Sequence, residues 1–208
     1  MTKYNLDADD YYTQRNNRIS PNAACMPTAR VMYYRGNGIT YNNPTMLSDD
    51  DYLMQTLNTK KAVEFAKAKY KWACNSENKL LYPSNEIHGM YNSYLDELVV
   101  GRRTGDFLLG LSAEECIDVL AAGYVIMTSG SFKAIPGHAL CLIGFDSQNF
   151  HLADPWGDWR TGYRDVCGYG ATMSKSDFVT HIKPTESVAK WAHLPYDAIE
   201  AMKKRKKK

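Results

Sequence analysis

Two side-chain types with nucleophilic and proton-transfer chemistry occupy positions where that chemistry is usable. In 14-QRNNRISPNAACMPTARVMYYRG-36, Cys25 stands just before Pro27 and an apolar run. Pro27 suits a first helical turn, where a missing N–H costs nothing, and Gly36 suits a C-terminal stop, which predicts a helix from about Pro27 to Arg35. A cysteine at a helix N-terminus meets unpaired backbone N–H groups and the positive end of the macrodipole. Both favour the thiolate. Taken alone, the signal is weak, and Cys25 reads more readily as a small buried hydrophobe.

His138 opens an apolar run in 136-PGHALCLIGFD-146. A histidine on a rigid strand end beside a loop has the placement of a general base, although a core histidine satisfying one hydrogen bond is the plainer alternative. The next run, 149-NFHLADPWGDW-159, places Asp154 just before Pro155. A carboxylate there could orient an imidazole and hold its tautomer, or could serve only the turn. Geometry constrains the choice. A regular two-residue turn at Ser147-Gln148 would pair His138 with Gly157 and turn Asp154 to the other face. Asp154 as orienter therefore requires an odd-length loop or a bulge between Phe145 and Phe150, with Asp158 as the fallback. Gln14, upstream of Cys25, could add a side-chain donor to the Cys25 backbone N–H and complete an oxyanion hole.

The elements that must position these residues fall into two groups. Helical signals come first: Ser48 with an acidic first turn opens 48–74, a break at Asn58-Thr59 divides it, and 86–102 is a further segment. Ser112 and Glu115 form a capping box ended by Gly123. After Gly123, YVIMTSG, HALCLIGFD, NFHLADP and GYRDV read as short antiparallel strands, whereas SVAKWAH and DAIEAMKKRKKK read as weak helices beyond a linker from Pro184. Helices followed by strands indicate an α+β fold.

The 208 residues suit one domain, with 44% hydrophobic and 12% aromatic content. No apolar run is long enough to span a membrane, and the polar, acidic start lacks a secretory pattern, so cytoplasmic synthesis is expected. Five scattered cysteines without a CxxC pair argue against a disulfide framework, and the absence of HExxH argues against zinc, so no metal or cofactor is expected. Lys203, Lys204, Arg205, Lys206, Lys207 and Lys208 end the chain, leaving 19 basic against 23 acidic residues elsewhere. A basic tail on an acidic body suits an anionic envelope or serves only as a solvated terminus. Nucleic-acid binding is disfavoured, because the tail has no interleaved aromatics.

The order Gln, Cys on a helix, then His and Asp on strands resembles that of papain-like cysteine peptidases. The words YYTQRNN, the C-x-x-T-A of AACMPTARVM, AAGYVIMTSGSF, GHALCLIGFD and HLADPWGDW are similar to the stand-alone C-39-like peptidases, relatives of the bacteriocin double-glycine leader peptidases. The resemblance covers about residues 10–182. It implies a papain-like fold whose helical part packs on an antiparallel sheet, with Cys25 as nucleophile, His138 as base, Asp154 as orienter and Gln14 as oxyanion donor. The expected organisation is a catalytic domain over 1–183 with a helical insertion at about 41–110, which matches nothing assignable, and a linker and basic tail over 184–208. Met26 departs from the family pattern, where many relatives carry glycine, and is expected to narrow the approach to the oxyanion hole. The expected activity is hydrolysis of peptide or amide bonds by a monomer. Peptidoglycan stem peptides are the preferred substrate, in the manner of a phage-type endolysin released by a separate protein. A cytosolic peptidase and a catalytically silent binding module are the alternatives.

Overall fold

The computed structural model describes residues 4–57, 94–108, 111–132, 137–182 and 191–205, with isolated positions 59, 64, 68, 92 and 135. The second half of the expected 48–74 helix and the start of the expected 86–102 helix, together with Cys74 and residues 206–208, lie largely outside them. The helices are α1 (Cys25–Gly36), α2 (Asp49–Leu57), α3 (Ala113–Ala121), α4 (Lys175–His181) and α5 (Tyr196–Arg205). The strands are β1 (Gly105–Leu108), β2 (Ile126–Gly130), β3 (His138–Phe145), β4 (Asn149–Ala153), β5 (Tyr169–Ser174) and β6 (Ala192–Pro195). They form one antiparallel sheet in the order β1-β6-β2-β3-β4-β5.

Both faces of this sheet are covered, which explains why β3 reads as a continuous apolar run rather than an alternating one. Ala139, Cys141 and Ile143 join the α1 core, whereas Leu140 and Leu142 join the opposite core with α3, α4 and α5. Helix α1 is buried along most of its length, from Met26 through Tyr34. Its start is two residues earlier than expected, so Cys25 is the first helical residue. The capping box forms as expected, with the Glu115 N–H donating to Ser112 Oγ at 3.1 Å and Ser112 N–H donating to the Glu115 carboxylate at 2.8 Å.

Two expectations fail. GYRDV is loop rather than strand, because Gly162 and Tyr163 both take left-handed backbone and break the extended run. The pairing strand comes later, at Tyr169–Ser174. The segment after the expected linker is not an appendage. Residues 192–195 form β6, which pairs with both β1 and β2, and Trp191, Ala192, Leu194 and Ala198 are fully buried. Helical spacing in SVAKWAH is outweighed by two open sheet edges that need a partner and by Pro195, which lacks the N–H to continue a ladder.

Helix α1 is fixed by a buried ion pair. Arg30, fully buried, bonds Asp96 at the start of a π-helical turn (Asp96–Val100) and stacks between the rings of Tyr33 and Tyr34 at 4.4 and 4.8 Å. Asp96 also accepts from Tyr34 Oη at 2.8 Å, the Thr104 N–H at 2.7 Å and Thr104 Oγ1 at 2.9 Å. Arg30 further donates to His193 Nδ1 at 2.9 Å. Burial and the Arg30 charge keep His193 well below the usual imidazole range, hence neutral and able to accept. Removing one member of such a pair strands the other charge in the core. Asp96→Ala should cost about 3–5 kcal/mol in urea unfolding, whereas Ser112→Ala, which loses only a cap, should cost about 1 kcal/mol. Equal costs would show that the pair contributes no more than a surface contact.

Candidate active site

Cys25 opens α1 with no side-chain cap on Ala24, so the first-turn N–H groups are free for the thiol. The residue is partly exposed. Burial alone would raise its pKa, but hydrogen bonding to His138, the imidazolium charge, and the Ala139 and Met26 N–H groups bring it below the ordinary cysteine range. Cys116 and Cys141 are the contrast. They are buried without a cationic partner of this kind, and burial drives both thiols far upward. Cys167 is exposed.

His138 lies at the start of β3, almost wholly buried, and its Nε2 meets Asp154 Oδ1 at 2.6 Å. That leaves Nδ1 as the nitrogen for Cys25. Burial lowers the imidazole pKa, yet the Asp154 charge and hydrogen bond, with a smaller contribution from Cys25, raise it above the ordinary value overall. Thiol down and imidazole up is the combination that makes a thiolate–imidazolium pair at neutral pH.

Asp154 reaches His138 through a register shift, although not where the sequence placed it. The turn at Ser147-Gln148 is the regular two-residue one, with Phe145 opposite Phe150 and the Asp146 N–H donating to the Asn149 carbonyl at 2.8 Å. The bulge lies deeper, between Leu142 and Gly144 in β3, so Cys141 pairs with Ala153. One residue further, Asp154 falls opposite Leu140 and on the face of His138. Asp154 also serves the turn, because its Oδ1 accepts the Trp156 N–H at 2.8 Å. The carboxylate thus holds both roles that the sequence left open. Gly168 must be glycine here, since an added Cβ would stand 2.1 Å from the Asp154 carbonyl oxygen. Asp158, the fallback, instead caps the 3-10 turn Trp159–Thr161 and pairs with Arg160 at 2.5 Å.

Gln14 is buried in a 3-10 turn, Gln14–Asn16, with its backbone N–H on the Pro155 carbonyl at 3.0 Å. Its Nε2 donates to the Pro21 carbonyl at 2.7 Å, on the loop that leads into Cys25. An amide nitrogen carries two hydrogens, and Pro21 accepts one of them. His138 thus meets both Cys25 and Asp154, and Gln14 is tied to the loop that leads into Cys25 and to the loop that follows Asp154. Met26 is buried and belongs to the α1 core cluster. Trp156 and Trp159 are half-buried, Trp156 beneath the Arg15 guanidinium and Trp159 against Phe132 and His181.

Sequence reasoning missed two flanking tyrosines. Tyr11 Oη donates to the Asp154 carbonyl at 2.8 Å and accepts from the Gly168 N–H at 2.9 Å. Tyr163 sets its ring edge-on to His138 at 6.3 Å. The dipeptide Gly162-Tyr163 after a turn was the available signal, and it was absorbed into a strand reading. Among the described residues no group of His, Cys, Asp and Glu could hold a metal ion.

No curated protein sequence matches the chain significantly. A crystal structure of a protein from Bacillus anthracis, described as a C39-like peptidase, superposes over 92% of this chain and 97% of that one, with a TM-score of 0.52 and 12% identity. At that identity the likeness speaks for the fold. The sequence model of the Peptidase C39-like family matches residues 8–180, which span the helix of Cys25, the strands of His138 and Asp154, and the turn of Gln14. The chain belongs to the Peptidase C39-like family.

Proposed function

We propose that the protein is a cysteine peptidase that cleaves peptide or amide bonds through a thioester at Cys25. One observation carries this reading: a thiol at an uncapped helix N-terminus contacts an imidazole whose far nitrogen is held by a buried carboxylate at 2.6 Å. In this mechanism Sγ of Cys25 attacks the substrate carbonyl, and the C–N bond breaks as His138 passes its proton to the leaving amine. The Cys25 N–H and Gln14 Nε2 hold the oxyanion during attack. Water then adds to the thioester with His138 as base, releasing the acid and restoring the thiol. Asp154 keeps the imidazole ring in one orientation throughout.

For the substrate we favour peptidoglycan stem peptides. The run Lys203 to Lys208, on a chain otherwise more acidic than basic, supports attraction to an anionic envelope. Purified cell walls, with mass spectrometry of the released fragments, test this directly. Cleaved stem peptides that disappear with Cys25→Ala and with His138→Ala are the expected result. Intact walls alongside cleaved casein would assign a protein substrate instead.

The pH dependence follows from the shifts. The lowered thiol gains its charge below the ordinary cysteine pKa of about 8.5, and the raised imidazole keeps its proton above the ordinary histidine value of about 6.5. Loss of activity on the acid side is therefore thiolate protonation, and loss on the alkaline side is imidazolium deprotonation. Iodoacetamide should label Cys25 at pH 6 far faster than Cys116 or Cys141. His138→Ala should slow that labelling at least about tenfold, because burial then acts on the thiol unopposed. Asp154→Asn keeps an acceptor for Nε2 but removes the charge, so its alkaline limb should move to lower pH. An unmoved limb would contradict the electrostatic role of Asp154.

A further inference from the structure

The residue after Gln14 makes an unusual set of contacts. Arg15 Nε donates to the Trp156 carbonyl at 2.7 Å, and its Nη2 donates to the Tyr163 carbonyl at 3.0 Å. Its guanidinium carbon lies 4.5 Å from the centre of the Trp156 ring. The described partners of this cation are therefore two carbonyls and an indole face rather than a carboxylate. A rigid fork can bridge two carbonyls on separate parts of a loop, whereas an ammonium cannot do so with the same geometry.

What the fork holds is strained. Tyr163, with φ of 64°, is the one non-glycine residue with positive φ among those described. Strained backbone persists where surrounding contacts over-determine it, and such positions cluster at functional sites. Here the Tyr163 N–H donates to the Asp158 carbonyl at 3.1 Å while its carbonyl is taken by Arg15. With both ends fixed, the ring is directed onto His138 at 6.3 Å and onto Phe132 at 6.4 Å. His138 is then enclosed by Cys25 from α1, Asp154 from the end of β4, Tyr163 from the loop, and Phe132, behind which His181 stacks at 5.4 Å. The same clasp reaches the oxyanion side, because Thr13 Oγ1 and the Gln14 N–H both donate to the Pro155 carbonyl, at 3.1 and 3.0 Å, one residue before Trp156.

We propose that Arg15 is a positioning residue, which ties the turn of Gln14 to the loop of Asp154 and Tyr163 and thereby keeps the tyrosine ring over His138. The role rests on the reading of Cys25 and His138 as a catalytic pair. Without the fork, Tyr163 relaxes out of left-handed backbone and its ring leaves the imidazole. Water then reaches the His138–Asp154 contact and screens it, so the imidazolium weakens and the thiol rises with it.

Iodoacetamide labelling of Cys25 in the full-length protein, followed by peptide mass spectrometry from pH 5 to 10, tests this without a known substrate. Arg15→Met should slow labelling at pH 6 about tenfold, the equivalent of one pKa unit, and leave the rate at pH 9.5 within about twofold, where an ordinary thiol is already ionised. Arg15→Lys should lose most of the same effect, since charge without the fork is insufficient, and it carries the test should Arg15→Met unfold. Tyr163→Gly should reproduce the loss and add nothing to it in the double variant, as expected for residues acting through one another. Variant profiles that superpose on wild type, or losses that add, would overturn the clasp while leaving the pair intact. Wild-type Cys25 labelling no faster at pH 6 than a free thiol would remove the pair itself, and the clasp with it.

Discussion

One extra residue in β3 decides whether this protein has a site at all. Strand side chains alternate strictly, so an unbroken hairpin from the Ser147-Gln148 turn would send His138 and Asp154 to opposite faces of the sheet. The bulge between Leu142 and Gly144 shifts the register by one and brings them to 2.6 Å. Everything else about the imidazole depends on that contact. Its raised proton affinity comes from the carboxylate, and the thiol is lowered because the imidazole is charged.

The surrounding structure keeps this arrangement still. Helix α1 carries the thiol and is pinned through Arg30 to Asp96 and His193, which belong to segments distant in sequence. The loop after β4 is held from the other side by Tyr11, Thr13, Gln14 and Arg15, all from one short N-terminal stretch. The two halves of the site are thus braced differently. A buried ion pair holds the helix of Cys25, and donors to loop carbonyls hold Asp154, which in turn holds His138.

The residues of the site were legible because their types are constrained by chemistry and their local punctuation by backbone geometry. Cys25 before Pro27, His138 at the head of an apolar run and Asp154 before Pro155 each announce an element boundary. The need for a register shift was also legible, since it follows from parity alone. Its location was not. Gly144, an isolated glycine inside a strand pattern, is the local sign of a bulge. Tyr163 and β6 were lost for a common reason. Four or five residues of mixed polarity carry too little periodicity to distinguish strand from loop or helix, and their state is set by partners far along the chain.

The placement of β6 has a consequence for the order in which the molecule is made. This strand lies between β1 and β2, so the link from the edge strand β1 to the other four is supplied by residues 192–195. His193, which accepts from Arg30 in the helix of the nucleophile, arrives with it. During synthesis the reactive cysteine emerges early, but the sheet stays split until residue 195 has left the ribosome. A nascent chain therefore carries Cys25 long before it carries His193 and the strand that joins β1 to the rest of the sheet.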